Sequence, residues 1–97
     1  MMQRQGDLLI VRINSIPGQA KLQPSRVLAE GEATGHLHEL DEKSDVFEER
    51  GVLYFRVKEK ISSLTHPEHK TLTFEPGEYR VIRQREYEPN GWRNAHD

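Results

Sequence analysis
The sequence predicts an all-β fold, a small antiparallel barrel or a two-sheet sandwich. Three observations lead there. Apolar residues come in short runs, continuous or alternating with polar ones, which is the signature of strands. No window longer than about ten residues keeps apolar positions at helical spacing. Seven glycines and five prolines punctuate the chain at short intervals, so turns separate many brief strands.

The elements follow in order. Residues 7–13, Asp7-Leu8-Leu9-Ile10-Val11-Arg12-Ile13, form a continuous apolar strand closed by Asn14 and Pro17-Gly18. Residues 19–25 are polar, contain Pro24 and read as a loop. Residues 26–30 are a second strand. Gly31 and Gly35 bracket a piece suited to a bulge or bend, after which residues 36–40 continue as strand. Residues 41–45 make an acidic, solvated turn. Residues 46–49 lead into Arg50-Gly51, a hairpin turn. Residues 52–58 are the clearest strand: Leu53, Phe55 and Val57 face one way, Tyr54, Arg56 and Lys58 the other. Residues 71–74 alternate too, residues 75–78 form a turn, and residues 79–87 are a long final strand. The single domain spans residues 1–91, and residues 92–97 are a polar tail that includes His96.

Composition narrows the function. The 97 residues include no cysteine, which excludes a disulfide framework, a zinc ribbon and a thiol nucleophile. The longest apolar run, Leu8 to Val11, is far short of a membrane span. The first residues lack an apolar stretch of signal-peptide length, so the expected location is cytoplasmic, with no membrane partner. A net charge of −2 argues against a generic nucleic-acid coat. Leu, Ile, Val and Phe supply only 23 residues, a thin core. Small domains of that kind often lean on a metal or on oligomerisation, so a homodimer is a natural expectation.

The histidines are the informative feature. Four of the five fall in two tight pairs, His36-Leu37-His38 and His66-Pro67-Glu68-His69. On a strand, His36 and His38 share a face, and a proline turn suits the convergence of His66 and His69. Imidazole ligates zinc, iron, nickel and copper, and Glu39, Glu42 and Glu68 stand close by in sequence. The expected cofactor is one divalent transition metal (zinc, iron or nickel). Four imidazoles would close a structural site, whereas fewer would leave a position open for water or substrate. Whether the histidine face looks into the core depends on Leu37 and Leu40, which lie on opposite faces.

Two resemblances bear on this. Residues 31–38, Gly31-Glu32-Ala33-Thr34-Gly35-His36-Leu37-His38, followed by Glu42, resemble the first cupin motif, and Glu75-Pro76-Gly77-Glu78-Tyr79 resembles the turn that feeds a cupin strand. That resemblance implies a barrel of this size with His36, His38 and Glu42 as metal ligands. The chain is also similar to small uncharacterised bacterial and phage proteins sharing GExTGHxH, THxEH, PGxY and RVIRQREY blocks, here at residues 31–38, 65–69, 76–79 and 80–87. That likeness implies that the two histidine blocks form one site, and brings no activity with it.

A second, separate feature is the last strand, where Arg83 and Arg85 share a face with Tyr79 and Tyr87. Arginines among aromatics hold phosphates and stack bases, and they also protect edge strands. The alternative to a metal protein is therefore a metal-independent ribonuclease or other phosphodiester-acting protein, with histidine as general acid and base and arginine steadying the phosphorane. RNA is the partner this implies. A third option is an interaction or structural module that pairs through the final strand.

Overall fold
The computed structural model describes residues 2–31 and 34–84. Its ten strands are β1 (Met2–Gln5), β2 (Leu8–Ile13), β3 (Lys21–Leu22), β4 (Val27–Glu30), β5 (Leu37–Leu40), β6 (Ser44–Glu49), β7 (Val52–Val57), β8 (Ser62–His66), β9 (His69–Phe74) and β10 (Gly77–Arg83). They build two antiparallel sheets, a six-stranded one ordered β1-β2-β10-β7-β6-β3 and a four-stranded one ordered β4-β5-β8-β9. The all-β expectation holds. Of its two architectures the molecule is the sandwich, since the sheets do not close into one barrel.

The sheets pack around alternating inward residues. Phe55 and Tyr79 stack with ring centroids 4.9 Å apart, and Phe74 meets them edge-on at 5.2 and 5.1 Å. Leu8, Ile10, Val46, Val57 and Leu64 surround this trio, all almost wholly buried. Tyr79 is therefore a core residue and not a platform for bases. Its hydroxyl, at the rim of the core, donates to the Glu75 carbonyl at 2.6 Å, which satisfies the polar end of an otherwise apolar position. The β6–β7 hairpin turns through Arg50-Gly51 as the sequence predicts, with φ of 53° and 80°. Two successive positive values fit the right-handed twist of the flanking strands.

Three strands escape the sequence reading. β1 is polar (Met2-Gln3-Arg4-Gln5) and carries no apolar alternation; it is held by pairing with β2. In β8 the inward positions are Ser62, Leu64 and His66, so a single leucine is all that marks it. The predicted loop over residues 19–25 contains the short β3, which pairs with β6. The final strand ends at Arg83 among the described residues. Arg85, Tyr87, the 92–97 tail and His96 lie outside them.

Candidate functional site
The histidine face of β5 is its inner face. Leu37 is exposed, while His38 and Leu40 are 5% and 3% exposed. Strand register does the rest. β5 and β8 pair Glu39 with Thr65 and Leu40 with Leu64, so the next step outward sets His38 opposite His66. β8 and β9 pair Leu64 with Leu72 and then His66 with His69. That shift places one extra residue in β9 and turns His69, itself exposed, towards the rings of His66 and His38, a common use of a bulge. A second bulge, between Val27 and Ala29, sets Ala29 beside His38 on β4.

Three histidines thus stand in one row across β5, β8 and β9. Ring centroids are 4.3 Å apart for His38–His66, 4.5 Å for His66–His69 and 6.0 Å for His38–His69. His36 joins from the end of β5, its ring 5.7 Å from that of His66. The structure brings together all four histidines that the sequence singled out.

The other sheet closes over the row with the β1–β2 turn. Gly6 has φ of 61°, and a Cβ there would stand 3.0 Å from His69 Nε2 and 3.2 Å from His38 Cε1. Glycine serves both the turn and the close approach of the two rings. Next to it, the buried Gln5 side chain reaches across the sandwich. Its Nε2 donates to the carbonyls of Leu64 and Lys70, both at 2.9 Å, and its Oε1 lies 2.8 Å from His38 Nδ1. In the β8–β9 turn, the Glu68 N–H donates to His66 Nδ1 at 3.0 Å. His36 Nδ1 is buried without a hydrogen bond, 3.7 Å from Glu68 Oε2.

The row opens into a groove of about 290 Å³ whose lining also includes Asp7, Glu30, Glu68 and Arg83. Three carboxylates against one guanidinium favour a cationic occupant. Arg83 Nη2 is 3.9 Å from Asp7 Oδ2, and this arginine lines the histidine groove. Burial, and then the nearby His66 ring, lower the pKa of His38 below its usual value against the opposing pull of Asp7. Desolvation followed by the charges of His69 and His36 lowers His66 as well, with Glu68 opposing. Both shifts favour the neutral ring, the form that ligation or base catalysis requires.

Glu42, a ligand implied by the cupin resemblance, is exposed and lines a different groove with Arg26, Asp41 and Ser63. The turn that follows β5 carries it away from the histidines. Among the described residues, no three His, Cys, Asp or Glu side chains stand ready to hold a metal as they are oriented. Gln5, Gly6 and Asp7 were not legible as site residues, because they are 29 or more positions from the nearest histidine and belong to no motif. No curated protein and no solved structure matches the chain. Residues 4–84 match one family over both histidine pairs and all ten strands except the first residues of β1, and the chain belongs to that family, described as a domain of unknown function (DUF8820).

Proposed function
We propose that the chain binds one divalent transition metal ion at the four-histidine cluster, with His38 as anchor and His66, His69 and His36 as the further donors. The row of His38, His66 and His69 on three adjacent strands carries this reading. The acidic lining of the groove and the orphaned Nδ1 of His36 support it. His66 and His69 flank a two-residue turn, His66 is half-buried and His69 exposed, and so their rings have room to turn towards a shared ion. The metal would act as a structural tie between β5, β8 and β9 or, with one position open, polarise a bound water.

Elemental mass spectrometry on untagged protein, beside the His36→Ala/His66→Ala double variant, tests it. The expected result is roughly one zinc, iron or nickel per chain, lost in the variant. Wild-type protein that contains no metal and takes none up on titration overturns it.

A second reading rests on the two ring hydrogen bonds. A ring that donates from Nδ1, as His38 does to Gln5, keeps a bare Nε2, and a ring that accepts at Nδ1, as His66 does from Glu68, carries its proton on Nε2. A bare and a protonated nitrogen on adjacent rings would suit a general base and a general acid acting on a phosphodiester, with Arg83 offsetting charge. RNA cleavage that survives a chelator and is lost in His38→Gln would support this reading over the first.

A further inference from the structure
We infer that Gln5 is the positioning residue of this site: one side chain sets the tautomer of His38 and pins the bulge that delivers His69. The inference rests on reading His38 as the working donor of the groove.

The argument starts from the carboxamide. Leu64 and Lys70 offer it two carbonyl oxygens, which can only accept. The NH2 group must face them, and the opposite orientation would set oxygen against oxygen. Gln5 Oε1 is thereby turned to His38, and an amide oxygen only accepts, so His38 Nδ1 must donate. The neutral His38 ring then keeps its lone pair on Nε2. A ring nitrogen is commonly prepared for metal or proton in this way, through a partner held on the other nitrogen.

The second half concerns β9. The register shift leaves Lys70 outside the β8–β9 ladder, because the pairs step from Leu64–Leu72 to His66–His69. Gln5 donates to the part-buried Lys70 carbonyl from the opposite sheet at 2.9 Å, and a bonded carbonyl steadies the bulge. The bulge that turns His69 towards His66 and His38 is therefore bonded by the same amide that orients His38. Gln3, on the same strand, makes a comparable bond to the Thr73 carbonyl at 3.1 Å, further along β9 and away from the histidines.

Long-range proton–nitrogen NMR on metal-free wild-type protein at pH 7.5 reads the tautomer directly. The expected result is a protonated Nδ1 and a bare Nε2 on His38. A His38 proton on Nε2 overturns the inference without any variant having to fold. Zinc titration of Gln5→Met and of Gln3→Met then separates positioning from general strand loss. Gln5→Met should weaken zinc binding by about 10–100-fold and shift His38 towards the Nε2–H form, while Gln3→Met leaves both unchanged. A folded Gln5→Met protein with wild-type affinity and tautomer also overturns it. Wild-type protein that takes up no zinc but shows the expected tautomer overturns the metal proposal and supports Gln5 as the residue that bares a base nitrogen.

Discussion
His38 and His66 face one another with ring centroids 4.3 Å apart, although 27 residues separate them in the chain. Their juxtaposition is a consequence of the β5–β8 register, in which Leu40 pairs with Leu64 deep in the core. The core leucines fix the register, and the register fixes the histidines. His38→Ala should therefore abolish metal uptake and also lower stability by about 1–3 kcal/mol, since it strands the buried Gln5 oxygen. His36→Ala relieves an unsatisfied nitrogen, so it should weaken metal binding with little loss of stability. Thermal melts of the two metal-free variants check the contrast. Equal destabilisation would contradict it.

The lowered pKa values of His38 and His66 have a definite sign. Each group binds its proton less readily in the folded chain than at its unfolded value of 6.5. The unfolded state therefore takes up protons first as pH falls, and folding stability declines below pH 6.5 until the folded pKa is passed. Above that value the contribution is flat. Metal-free protein should melt progressively lower as pH falls below 6.5, and His38→Leu should reduce that slope. Metal should be released over the same range, because protonated imidazole does not ligate. A melting temperature independent of pH in this window would refute the assignment.

Gly6, beside Gln5, is where the backbone next to β1 comes close to the cluster. An alanine there meets a φ of 61° and pushes against both His38 and His69. Gly6→Ala should cost roughly 1–2 kcal/mol from the left-handed backbone alone. It should weaken metal binding more than Gly18→Ala, where a Cβ meets nothing within 4 Å. Denaturation and zinc titration of both variants measure the difference.

These relationships show what a sequence can reveal of such a site. Paired histidines announce themselves by spacing, and alternation in β7 and the Arg50-Gly51 turn are visible because each rests on a local period or a backbone preference. Gln5 has no such signal: its role exists only because its side chain reaches from β1 to the other sheet and meets a bulge in β9. β8 was hidden for the related reason that its inward positions hold a serine and a histidine. Glu42 misled in the opposite direction, being near in sequence and turned away in space. Sequence proximity reports position along a strand, whereas this site is built across strands.

The acidic turn after β5 is more than a solvated link. Asp41 Oδ1 accepts from the Ser62 hydroxyl at 2.6 Å and the Lys43 N–H at 3.0 Å, and Oδ2 accepts from the Ser63 N–H at 3.0 Å. Ser62 in turn meets the buried Ser44 hydroxyl at 2.6 Å, so this carboxylate anchors the start of β8 to the start of β6 in the opposite sheet. Burial alone would raise its pKa, but the bonds from Ser62, Lys43 and Ser63 outweigh it and hold the carboxyl below its usual range. A depressed folded pKa gives stability that is complete above the unfolded value of 3.8 and is lost as pH falls through the folded one. Asp41→Ala should cost about 2–3 kcal/mol at neutral pH, as the buried Ser62 hydroxyl and two backbone N–H groups lose their acceptor. Asp41→Asn should cost less, and its deficit against wild type should shrink as pH falls below 3.8. Because β8 carries His66, the same variants should also loosen the histidine row, read as faster amide exchange at Thr65 and His66. Unchanged exchange there, with stability lost, would confine Asp41 to a local turn.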